Sequence, residues 1–332
     1  MPSYNELDIY YENKVVDLLK EMPWYCIQYF NTMVDKTDGT KLSYIRKINS
    51  FLKFLEEETY IDIYDIDEFT NVKPSMISNY INNKINAAAS CKATHYYAIK
   101  NFFDFLCMDD HIDKNPCDKV PAPIDKVEHK ITYLTKEEID MVMHNIEVGV
   151  GTPNAIRMQK AWKIRNKAII SLALSTGLRS SSIRSLNVID HDSIERTIRV
   201  YEKGNKERYI KISEELNSLL NEWEKDRTDK IIANLDKDVD VSPALFISSR
   251  FKRLSATSFR HLIDLFTYNI DKKITPHKLR STYATHAIKK THDIYLVAHQ
   301  LGHSDVRNTA RYAAIDEEME EQAASVMDDI LF

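Results

Sequence analysis

The sequence predicts a mainly α-helical chain with one small antiparallel sheet, divided into two domains. Three observations carry this. Six glycines in 332 residues leave few positions for left-handed turns and favour helix. Apolar residues recur at helical spacing at both ends of the chain. One short stretch, residues 197–212, is β-branched and aromatic around a turn and reads as a hairpin.

The elements follow in order. Trp24, Ile27, Phe30 and Met33 repeat at helical spacing, as do Ile45, Ile48, Leu52 and Leu55. A third helix starts at Pro74, a residue suited to the first helical position, and carries Ile77 and Ile81. A fourth carries Tyr97, Phe102, Phe105 and Leu106 and ends before Asn115-Pro116. Tyr97, Phe102 and Phe103 are read as core residues. Four amphipathic helices make one bundle, residues 1–119. Residues 120–130 hold two prolines and many charges and read as a linker. The second domain, 131–332, opens with a capping box, Thr135 with Glu138. A helix over about 161–175 stops near Gly177. The hairpin is next, turning through Lys203-Gly204-Asn205-Lys206. Helix resumes near residue 255, and Pro276 starts a new one.

The bulk numbers bound the class. Apolar residues at 43% supply real cores, and charged residues at 29% suit a soluble protein. The absence of an apolar run of eighteen predicts no membrane span, and the mixed N-terminus predicts no secretion signal. Cys26, Cys91, Cys107 and Cys117 have no C-x-x-C spacing and read as reduced cytosolic thiols. The net charge of −5 hides a segregation. Residues 157–211 hold thirteen Lys/Arg against five Asp/Glu, and residues 250–311 hold twelve against four. The tail after Tyr312 holds seven acids and no base. A localised basic surface is the footprint of phosphate binding, although solvated helix faces give the same counts.

The chemistry lies in the C-terminal half. His277 and Arg280, three apart in a first helical turn, share a face. Gly302 is a helix stop, which puts His303 just past the end. Ser304 can cap the next helix, with Tyr312 two turns in. Arg179 follows the break at Gly177, and Lys203 lies at the hairpin turn. These types suit attack on a phosphodiester. Arginine forks bind non-bridging oxygens and stay charged, which fits Arg179 and Arg280. A phenol with a pKa of about 10 needs a proton acceptor, for which His277 is placed. His303 would donate to a phosphate oxygen. The departing alkoxide needs a proton, and Lys203 is the candidate acid. On residue type alone, Arg184 competes with Arg179 and Lys206 with Lys203. Tyr312 is one of eighteen tyrosines, so its position carries the argument. His299 and His303 are spaced like a metal pair, but Gly302 interrupts the helix and no H-E-x-x-H pattern is present.

In order, TGLRSSSIRSL, YEKGNKERYIKI, TPHKLRSTYATH and LGHSDVRNTARYA resemble the active-site boxes of the tyrosine recombinase (phage integrase) family. SYIRKINSFLKFL and HYYAIKNFFDFLCMDDHIDKNPC resemble helices of its core-binding domain, a SAM-like helical clamp. The resemblance runs from about residue 22 to 315, in a two-domain, Xer-like layout. It departs at Ser182, where the family usually carries an acid.

The resemblance implies a site-specific recombinase acting on double-stranded DNA. Tyr312 would form a 3′-phosphotyrosine bond, and the freed 5′ hydroxyl would attack the partner strand. No cofactor, metal or ATP is expected. Four protomers would assemble on paired sites, with accessory DNA-bending or directionality proteins as further partners and no membrane. A cytoplasmic, nucleoid-associated protein of a bacterium, phage or mobile element is expected. Two rivals stand: a DNA-binding protein with a relic site, supported by Ser182 alone, and a topoisomerase-like relaxing enzyme. Met319, Ala323, Val326, Met327 and Ile330 share a helical face in the tail, read as docking on its own domain or on a neighbouring protomer.

Overall fold

The structure is a computed structural model. It describes residues 6–124, 131–202, 206–234, 241–302 and 305–313. Two of the candidate site residues, Lys203 and His303, lie outside the described residues. So do most of the linker and the amphipathic tail. The chain divides into two compact units, residues 1–128 and 129–332. No described helix is long and apolar enough to cross a membrane.

The first unit holds α1 (Glu6–Leu19), α2 (Trp24–Thr32), α3 (Asp38–Thr59), α4 (Pro74–Asn79) and α5 (Ala89–Met108). Thr37 caps α3, accepting a hydrogen bond from the Thr40 N–H. Pro74 opens α4 as its spacing predicts. Ile45, Ile48, Leu52 and Leu55 are buried together with Phe102 and Phe103. Three differences from the sequence reading stand out. An additional helix, α1, precedes residue 20 and packs Val15 and Leu19 into the core. Tyr11, Val15, Leu18 and Leu19 recur at helical spacing on its inner face. In α2 the buried face is Tyr25, Cys26 and Tyr29, while Trp24 and Ile27 face outward. That helix is apolar on both sides, so spacing cannot choose between them. Tyr97 is exposed rather than core.

The second unit holds α6 (Lys136–Val148), α7 (Pro153–Ala161), α8 (Lys163–Thr176) and α9 (Ser180–Ser185). A sheet follows: β1 (His191–Asp192), β2 (Thr197–Glu202) and β3 (Lys206–Lys211), antiparallel in that order. Then come α10 (Glu214–Ile232), α11 (Ala256–Phe266), α12 (Pro276–Thr291), α13 (Ile294–Leu301) and α14 (Arg307–Ala313). The capping box at Thr135 and Glu138 is formed. The helix expected over about 161–175 is α8, and a separate helix, α7, precedes it across a break at Trp162. The inward residues Ile198, Val200 and Ile210 seat the sheet on a core that includes Trp223, Phe246 and Phe266. A second cluster joins Ala284 and Ile288 of α12, Val297 and Leu301 of α13, and Tyr312 of α14.

Candidate functional site

The site grows from the end of α8. Gly177 closes that helix in the left-handed conformation, at φ 61°. Glycine is required there twice over. A side chain would be strained in this backbone. Its Cβ would also fall 2.4 Å from Tyr283 Cδ1 and 2.7 Å from Leu301 Cδ2. The turn is thus pressed against α12 and α13, and two residues later Arg179 stands exposed at the entry to α9. Arg184, its rival by residue type, is buried on α9. Ser182 is half-buried on the same helix, and its carbonyl accepts from Ser185 Oγ at 2.9 Å.

Arg280 is the centre of this arrangement. It is 3% exposed. Its Nη1 donates to the Gly177 carbonyl at 2.7 Å, and its Nη2 donates to the Leu301 carbonyl at 2.8 Å. One guanidinium therefore fastens the turn before Arg179 to the turn before His303. These carbonyl bonds orient the fork without cancelling its charge, and they use two of its five N–H groups. His277 stands exposed one turn earlier on α12. Tyr312 is 1% exposed and packs on α12 and α13.

The end of α13 receives a second guanidinium. Arg208 on β3 donates from Nη1 to the His299 carbonyl at 3.1 Å and the Gln300 carbonyl at 2.8 Å. The last carbonyls of a helix have no partners within it and carry the negative end of its dipole. Arg208 and Arg280 together donate to three in succession, the first of which, His299, also accepts from the Gly302 N–H at 3.0 Å. Tyr283 lies in the same packing; burial pushes its phenol up, and the charge of Arg208 opposes that. The sequence reading missed Arg208. The signal was present: strand alternation sets Arg208 on the face of Ile210, where a cation needs partners.

His286 and His292 have backbone duties. His286 Nε2 lies 2.8 Å from the Leu134 carbonyl, while the Leu134 N–H donates to Thr282 Oγ1 at 2.9 Å. These bonds hold the start of the second unit on α12. His292 ends α12 in a left-handed cap.

Of the six candidate residues, the described four fall on α12, α14 and the α8–α9 turn, elements joined by Arg280 and the Tyr312 cluster. Residues 132–319, more than half of the chain, match the phage integrase family. The chain belongs to that family. As an integrase-family member it is similar to "Tyrosine recombinase XerD" of Oceanobacillus iheyensis, 27% identical over 84% of this chain and 88% of that one. It is also similar to "Tyrosine recombinase XerC" of Shewanella amazonensis, 30% identical over 66% of this chain and 68% of that one. Among solved structures it resembles the XerH site-specific recombinase bound to a palindromic difH substrate in a post-cleavage complex. There the TM-score is 0.66 at 19% identity, over 97% and 94% of the two chains. A lambda integrase dimer bound to a COC′ core site gives 0.63 at 16%, over 86% and 92%. These two likenesses concern the fold.

Proposed function

We propose that the protein cleaves and rejoins DNA through Tyr312, with Arg179, Lys203, His277, Arg280 and His303 around one phosphate. The protein is a tyrosine-type site-specific DNA recombinase. Neither rival is favoured by relatives that are named as recombinases. The observation that carries the residue assignment is the double grip of Arg280. It draws together backbone segments 103 and 21 residues away in sequence, each two residues from another candidate.

In this reading the phenol oxygen of Tyr312 attacks phosphorus, and its proton passes to His277. The bond from phosphorus to the 5′ oxygen breaks, and Lys203 protonates that oxygen. Arg179, Arg280 and His303 hold the non-bridging oxygens as charge builds on them. The reverse sequence, with a 5′ hydroxyl of a second duplex as nucleophile, rejoins the strand. One ester replaces another, so the step needs no external energy source. Double-stranded DNA is the substrate, and four protomers on two paired sites would perform the exchange.

The test is a nicked substrate in which the cleaved strand loses its short 5′ end by diffusion. Wild-type protein should accumulate a denaturant-stable protein–DNA adduct. Tyr312→Phe should form none while binding the same DNA with unchanged affinity. Wild-type protein that binds the site yet traps no adduct would overturn the assignment.

A further inference from the structure

We propose that Arg208 is a positioning residue that ties the β2–β3 hairpin, and Lys203 with it, to the C-terminal turn of α13. The inference rests on the reading of Lys203 as the general acid. It begins with the strand. In the ladder Val200 pairs with Arg208, and Ile198 pairs with Ile210. Val200, Ile198 and Ile210 are all buried, so Arg208 shares the face turned to the core. A cation on such a face costs stability unless it is hydrogen-bonded. Arg208 reaches its partners in another element altogether, the carbonyls of His299 and Gln300.

The location of this tie gives it a consequence. The last ladder pair is Glu202 with Lys206, two residues beyond Arg208. At ~3.3 Å per residue the tie sits roughly 7 Å of strand from the point where residues 203–205 begin. A two-stranded ribbon is marginally rigid by itself. Anchoring it there fixes the root of the segment that carries Lys203. The anchor is also shared: Arg280 of α12 holds the next carbonyl of that α13 turn, Leu301. The hairpin and the phosphate-binding arginine are thereby referenced to one piece of backbone.

Proton transfer to a leaving group demands that geometry. A displacement near 1 Å can cost on the order of 10²-fold in rate. Arg208 touches no reacting atom in this account; it acts through Lys203.

The test uses two substrates that differ in one atom. One is the ordinary nicked DNA. The other carries sulfur in place of the bridging 5′ oxygen at the scissile phosphate. A thiol has a pKa of about 8.5, far below that of an alcohol, so the sulfur departs without a donated proton. On ordinary DNA, Arg208→Met should cleave about 10²-fold slower than wild type. On the sulfur substrate it should recover to within a few-fold of wild type. Arg208→Lys, which keeps the charge and one reach to a carbonyl, should fall between them. It supplies the same readout should the methionine variant fail to fold. DNA binding and thermal melting are followed for each. A variant that folds, binds DNA and is equally slow on both substrates overturns the proposal. Lys203→Met run in parallel separates the underlying reading: if sulfur does not rescue that variant, Lys203 is not the acid, whatever Arg208 does.

Discussion

The floor and the rim of the site are built on different terms. Arg280 on the floor is buried and bound to two carbonyls, whereas Arg179 on the rim is exposed. Both were read from sequence as binding the same phosphate. Under the proposed assignment, the contrast teaches that one role would fall both to a residue that also holds the fold together and to one that does not. The largest expected effect comes from breaking the two in turn. Arg179→Met should lower single-turnover cleavage by about 10²–10³-fold, as for loss of one transition-state contact. Its unfolding free energy should stay within about 0.5 kcal/mol of wild type, as for an exposed side chain. Arg280→Met should lower cleavage at least as far and also cost about 2–4 kcal/mol, since two buried carbonyls lose their donor. Cleavage assays beside urea titrations decide this. Equal stability losses in the two variants would erase the distinction.

Gly177 sharpens the comparison because it belongs to the floor and has no side chain to do chemistry. Gly177→Ala forces a left-handed alanine, which costs about 1–2 kcal/mol. It also drives a methyl into Tyr283 and Leu301, an overpacking that costs about 1–3 kcal/mol. The melting temperature should drop. Cleavage should fall with it, because Leu301 supplies the carbonyl that orients Arg280. If the alanine variant melts lower but cleaves at the wild-type rate, the floor tolerates movement and the account of Arg280 as its fastener is wrong.

The same division explains what could be read from sequence. Ile45, Ile48, Leu52 and Leu55 announce α3 because a helix with one buried face writes its period into the chain. The hairpin was legible for the equivalent reason, but β1 was not, since two residues contain no alternation. The helix α10 escaped notice amid its charges, although Leu216, Leu220 and Trp223 mark its buried side. In the site, Gly177, Arg179, His277, Arg280 and Tyr312 stood out as local patterns. Arg208 did not. Its partners are backbone carbonyls 91 and 92 residues away, and a carbonyl is the same in every residue. Residue identity tells which side chain needs a partner, and only the fold tells where that partner is.

The smallest expected effect asks whether a buried, hydrogen-bonded cation supports the sheet as well. His191 of β1 has a fully buried side chain. Its Nδ1 lies 2.7 Å from Glu224 Oε1, and its Nε2 lies 2.9 Å from Asn217 Oδ1. Asn217 Nδ2 donates to the Ser193 carbonyl at 3.1 Å, which turns the amide oxygen toward the ring. An imidazole that donates from both nitrogens is the cation. Burial pushes its pKa down, but the bonds to Glu224 and Asn217, aided by the charges of Glu224 and Asp192, outweigh that and raise it above 6.5. A raised folded-state pKa contributes stability that is complete below the unfolded value and is lost as pH climbs through the folded one. Wild-type protein should therefore lose stability as pH rises from near 6.5 through the raised value. His191→Gln should flatten that slope, as measured by chemical denaturation across the range. Because β1 pairs with β2 rather than with the strand that Arg208 anchors, His191→Gln should leave the pH profile of cleavage as it is in the wild type. A pH slope unaltered in the glutamine variant would assign the titration to another group and leave the sheet without a buried cation of its own.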